Sequence, residues 1–110
     1  MQKLIGNAFS MGMLGCLSQG EVSVKCRLLS DEEARAWVSE NTPTSCVGHA
    51  DTAALFTNLL GQQVACARVS ASLAQGDQLL VGQLTGPRLP EGAVSLPEGA
   101  RIRWILTEVV

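Results

Sequence analysis

A chain of 110 residues holds one domain and leaves no room for a second. Apolar residues supply 46% of it and charged residues 16%, which suits a packed core and excludes a disordered chain. With two Phe, two Trp, no Tyr and a net charge of −2, it offers few base-stacking platforms and no bulk attraction for a polyanion, so DNA is not an expected partner.

The first apolar run, Leu4 to Leu17, is interrupted by Asn7, Ser10 and three glycines. It is too broken for a signal peptide and too short for a membrane span, so a soluble cytoplasmic protein is expected, with no membrane partner. Lys3 to Phe9 reads as a short buried strand, and Met11 to Leu14 as a single helical turn. A strand that ends in small polar residues before a helical turn is a common place to hold a ligand. Glu21 to Leu28 alternates, with Val22, Val24, Cys26 and Leu28 on one side, and predicts a strand with one wet face. Ser30-Asp31-Glu32-Glu33 is a capping box, and Ala34, Trp37 and Val38 follow at helical spacing. That helix should stop near Glu40, before Asn41-Thr42-Pro43, with Trp37 in the core or an interface.

Thr44 to Val47 predicts another strand. Gly48 follows it, and then Leu55, Phe56, Leu59 and Leu60 form a helical stripe closed by Gly61. Val69, Ala71 and Leu73 alternate with polar residues, Gly76-Asp77 is a hairpin turn signal, and Gln78 to Leu84 predicts the returning strand. Thr85 to Gly99 is rich in Gly and Pro and repeats Leu-Pro-Glu-Gly, as two similar turns. Irregular loops of that length are often lids or binding loops. Ile102, Trp104 and Leu106 alternate with Arg101 and Arg103 and close the chain with a strand. Strands first alternate with helices and then run together. The expected fold is α/β, a single-domain sandwich over 1–110 whose mixed five- to six-stranded sheet is flanked by helices.

The four cysteines form no C-x-x-C pair, so they read as small buried hydrophobes in a reducing cytosol. No Asp/Glu cluster has metal-ligand spacing, no Walker or G-x-G-x-x-G loop is present, and there is one histidine, His49. Histidine is the side chain whose ordinary pKa lies near neutral pH. His49 stands where a strand hands over to a helix, behind Gly48, which permits a tight or positive-φ turn. Asp51 and Thr52 can cap that helix. Its free N–H groups and dipole favour a phosphate beside the imidazole. Arg88 lies in the Gly/Pro loop with Glu91 three residues on, and Arg68 begins a strand. Arginine suits phosphate because its planar fork grips two oxygens, although an isolated Arg is more often plain surface charge.

Several segments in order resemble one family, the ring nucleases of type III CRISPR systems, viral anti-CRISPR enzymes included. They are Asn7-Ala8-Phe9-Ser10 with Met13-Leu14, Val47-Gly48-His49-Ala50-Asp51-Thr52-Ala53, Ala67-Arg68-Val69, and Gly86-Pro87-Arg88-Leu89-Pro90-Glu91-Gly92 followed by Leu96-Pro97-Glu98-Gly99. The set spans nearly the whole chain. One departure is Ala67, where the family often has Asn.

The resemblance implies a homodimer with a ligand pocket at its two-fold interface, no cofactor, no metal, and cyclic tetra-adenylate as the ligand. It implies cleavage to linear di-adenylates that switches off type III CRISPR signalling. His49, Arg88 and Glu91 match the catalytic set; Asn7, Ser10, Gly48, Arg68 and Gln83 match substrate-binding positions. In the implied reaction the ribose 2′-oxygen attacks phosphorus and protonated His49 serves the leaving 5′-oxygen. A protein that holds the ring without cutting it is the alternative expectation.

Overall fold

The structure, a computed structural model, describes residues 1–87, 92–93 and 95–110. Five strands and two α-helices follow in chain order: β1 (Lys3–Gly6), β2 (Val24–Leu29), α1 (Asp31–Asn41), β3 (Thr44–Ser45), α2 (Ala50–Leu60), β4 (Gln78–Thr85) and β5 (Arg101–Val109). Short 3₁₀ turns at Met11–Met13 and Gly15–Gln19 lie between β1 and β2. The strands form one sheet in the order β2-β5-β4-β1-β3. β1 is parallel to β3 and to β4, whereas β5 is antiparallel to both β4 and β2. The expected mixed α/β sheet is thus present, with five strands among the described residues.

Period-two alternation divides the core between the two faces of the sheet. Ile5, Leu80, Trp104 and Leu106 face α1 and α2, meeting Ala34, Trp37, Val38, Ala53, Phe56 and Leu60. Leu4, Leu79, Val81 and Val109 face the other way and are covered by Leu14 and Leu73. Both α-helices therefore sit on one face. Thin 3₁₀ turns and an irregular segment cover the second.

Local signals placed both helices. Ser30 caps α1: its hydroxyl accepts from the Glu33 amide at 3.1 Å, and the Glu33 carboxylate accepts from the Ser30 amide at 3.0 Å. These bonds hold the Glu33 carboxyl below its ordinary range. Thr42 ends α1 in the left-handed region, and Gly61 ends α2 in the same region with φ 69°.

The hairpin expected around Gly76-Asp77 does not form. Asp77 is buried, and its carboxylate accepts from the Gln2 amide at 2.7 Å, from the Gln2 side chain at 2.8 Å and from the Ala74 amide at 2.8 Å. This arrangement launches β4 alongside β1, with Lys3 in register with Gln78. The segment 68–73 pairs with no strand. Leu73 instead donates its amide to the Met13 carbonyl at 2.7 Å, and Ala71 and Leu73 cover the second face while Val69 points out, 60% exposed. Its alternation is that of a covering segment.

Three smaller expectations also change. β1 stops at Gly6, short of the expected Phe9. β2 is an edge strand, and Leu28 is 65% exposed and Cys26 exposed, against the apolar side expected for them. The cysteines are unpaired, as expected, but only half-buried at Cys16 and Cys46 and exposed at Cys26 and Cys66. No helix among the described residues is long and apolar enough to cross a membrane.

Candidate functional site

Because β1, β3 and β4 run parallel, their carboxyl ends share one edge of the sheet, and the antiparallel β5 begins there. Ligands in α/β sheets gather at that edge, since each strand releases a loop there. β1 releases Asn7 and Ser10, and β3 leads through Val47 and Gly48 to His49. Gln83 lies near the end of β4, opposite Arg103 of β5. From β4 to β3 spans two strand spacings, about 10 Å.

His49 is the N-cap residue of α2, in extended backbone, and its exposed side chain makes no capping bond. The imidazole is therefore not consumed by the helix end. Its carbonyl accepts the Ala53 amide at 3.0 Å, which leaves the amides of the first turn without a helical partner. Asp51, expected to cap the helix, instead accepts the Gly92 amide at 3.1 Å. That bond ties the β4–β5 loop to the helix end carrying His49. It also puts a negative charge in the turn where a phosphate would sit, so an anion there needs an arginine to balance it.

Arg68 is tied to the same corner. Its Nε donates to the Gly48 carbonyl at 3.0 Å, one residue before His49. The Ala67 amide on the Val47 carbonyl at 2.8 Å and the parallel bridge between Val47 and Cys66 hold the two segments together. Of the tight or positive-φ turns that Gly48 permits, positive φ is not used; its contribution here is its carbonyl and the close passage of the Arg68 stem.

Ser10 is exposed and starts the first 3₁₀ turn, its carbonyl accepting the Met13 amide at 3.0 Å while its side chain caps nothing. Asn7 is half-buried just beyond β1. Gln83 shares the parity of Leu79 and Val81, so it lies on the face away from α1 and α2. His49 begins a helix packed on the opposite face, so the candidate residues straddle the sheet edge. Arg88 and Glu91 lie outside the described residues. The stem of their loop is described: Gly86 and Gly99 both have positive φ, and a side-chain carbon on Gly86 would meet the Gly99 carbonyl oxygen at 2.3 Å.

Two clefts among the described residues lie elsewhere. One of about 350 Å³ is bounded by Val38, Pro43, Gln62 and Val64, and one of about 280 Å³ by Cys16, Glu21, Gln75 and Val110. None of the candidate residues lines either. No group of three His, Cys, Asp or Glu side chains stands together among the described residues.

Arg103 was read from the sequence only as the wet face of the last strand. Its Nε donates to Gln83 Oε1 at 3.1 Å, and a terminal nitrogen donates to the same oxygen. The pairing was hidden because the turn at Gly76-Asp77 pointed to the wrong partner for β4.

The family described as STIV B116-like matches residues 4–101 of the chain. Among solved structures, B116 of Sulfolobus turreted icosahedral virus superposes with a TM-score of 0.77 at 23% identity, covering 98% of this chain and 99% of that one. At that identity the likeness establishes the fold. No curated protein matches the chain in sequence.

Proposed function

The chain belongs to the STIV B116-like family, a family of viral protein type, and from that premise and the edge just described we propose that it is a metal-independent ring nuclease. Its substrate is cyclic tetra-adenylate, its products are linear di-adenylates with 2′,3′-cyclic phosphate ends, and its effect is to silence type III CRISPR signalling. The observation that carries this reading is the exposed imidazole of His49, which makes no capping bond, at a helix start, with Arg68 bonded to the preceding carbonyl.

RNA brings its own nucleophile, so the protein's task is to hold one linkage in line and manage charge. The ribose 2′-oxygen bonds to phosphorus and releases its proton to water. The bond from phosphorus to the 5′-oxygen breaks, and protonated His49 gives its proton to that oxygen. General acid catalysis of this kind contributes about 10²–10⁴-fold. The α2 amides and Arg68 hold the phosphate, with Arg88 from the loop. Glu91 orients the imidazole.

The candidate residues straddle the sheet edge, with His49 and Gln83 on opposite sides of the sheet. A second copy related by a two-fold axis would close such an edge, and would bring a second His49 to the other side of a symmetric ring. One ring then takes two cuts and leaves as two halves.

Incubation of the purified protein with cyclic tetra-adenylate, followed by chromatography, tests the proposal. Linear di-adenylates support it. Tight binding of an intact ring indicates a sequestering protein, and no affinity removes both readings. A ring with 2′-deoxy at the attacked linkages should bind uncut; cleavage of it would exclude the internal nucleophile.

A further inference from the structure

We propose that Arg103 is a positioning residue of the ligand edge: it fixes the side-chain amide of Gln83 so that the NH₂ group faces outward as a donor to the bound nucleotide. The inference rests on the reading of the edge as a nucleotide site. Gln83 and Arg103 are directly paired across β4 and β5. Two guanidinium nitrogens, Nε and a terminal one, donate to the single oxygen Oε1 of Gln83. An amide presents an acceptor at one end and two donors at the other. A guanidinium has donors only, so the flipped amide would set donor against donor. The arrangement therefore selects one orientation, and the NH₂ end is engaged by nothing among the described residues.

Stability gives little reason for such a pair. Both side chains are exposed, and water replaces an exposed hydrogen bond at almost no loss. The pair lies at the carboxyl end of β4, the edge that also releases Asn7, Ser10 and His49. A free Gln would present either end of its amide to a ligand. A fixed one offers donors only, which suits the acceptor atoms of a nucleotide: ring nitrogens of adenine and phosphate oxygens. Arg103 thus acts through Gln83 and does not itself meet the reacting atoms.

The test compares Arg103→Ala, Arg103→Lys, Gln83→Ala and the double variant with the parent. KM and kcat for cyclic tetra-adenylate are measured, and ligand-free spectra of the Gln83 side-chain amide are recorded. Gln83→Ala should raise KM about tenfold, the loss of one hydrogen bond to a charged group, and Arg103→Ala by a smaller factor, since the freed amide can still turn its donors to the ligand, with kcat within about twofold in both. Arg103→Lys, which keeps a donor, should restore most of the loss. The double variant should be no worse than Gln83→Ala alone. Multiplying losses would mean that Arg103 touches the ligand itself, and an unchanged KM would mean that the pair is idle; either overturns the proposal. If the parent neither binds nor cuts the ring, the functional reading fails and the use assigned to Gln83 falls with it. The amide spectra still judge the pairing: the two Gln83 protons should move to random-coil positions in Arg103→Ala, and unmoved protons would refute it.

Discussion

His49 is where sequence and chemistry meet most directly. It is the one histidine of the chain, and the fold leaves it exposed at the start of α2 with no capping duty. Replacing it with Ala should cost about 10²–10⁴-fold in single-turnover cleavage while the ring still binds; a rate equal to that of the parent would take it out of the mechanism. Asp77 matters for stability. Burial pushes its carboxyl up, but bonds from the Ala74 amide, the Gln2 amide and the Gln2 side chain, with the N-terminal ammonium, together hold it below the ordinary value. A depressed carboxylate stabilises the fold above its unfolded pKa and loses that contribution as pH falls through the folded pKa. Melting temperature should therefore be level through neutral pH and fall below about pH 4. Asp77→Asn should lower stability by about 1–3 kcal/mol at pH 7 and flatten that acid limb, both measurable by thermal melts across pH. His49 stood out in the sequence as the one histidine at a strand-to-helix handover, and the structure places it there, exposed at the start of α2. Asp77 was misread because a turn residue and a residue that redirects a strand have the same local sequence.

At the scale of elements, the helices were written in their ends. Ser30 with Glu33 opens α1, Gly61 closes α2, and each signal acts within four residues of where it stands. The strands depended on distant partners. Gly82 of β4 is the clearest case: a side-chain carbon there would fall 2.5 Å from Phe56 and 2.7 Å from Trp104. Those two rings meet edge to face, with centroids 5.0 Å apart. Gly82→Ala would separate that pair and overpack the core beneath α2, at about 1–3 kcal/mol. Chemical denaturation should record the loss as a lower midpoint with little change in slope; an undisturbed midpoint would show that the stack yields without cost. Nothing near Gly82 in the sequence announces this, because Phe56 and Trp104 come from two other elements.

For the whole molecule, candidate residues that straddle the sheet edge make oligomeric state the decisive measurement. Sedimentation should give twice the 11.6 kDa chain mass, and dilution into monomers should abolish cleavage if two copies build the site. Cleavage at constant activity per chain through dissociation would return the whole site to one protomer. EDTA should leave the rate unchanged, since the sequence carries a single histidine and no ligand-spaced acidic cluster; strict metal dependence would overturn the proposed chemistry.

Local spacing in the chain was enough for the α/β class, the two helices and their ends, the alternation of Ile102, Trp104 and Leu106 in β5, and the position of the one histidine, because each is set within a few residues. Long-range packing settled that β4 runs beside β1 and β5, that residues 68–73 form no strand among the described residues and that Ala71 and Leu73 pack on a face of the sheet, that both helices share one side, and that Arg103 meets Gln83. Those outcomes turn on contacts between residues far apart in the chain. Alternation states which way a side chain points, and it is silent about which strand, helix or loop lies opposite.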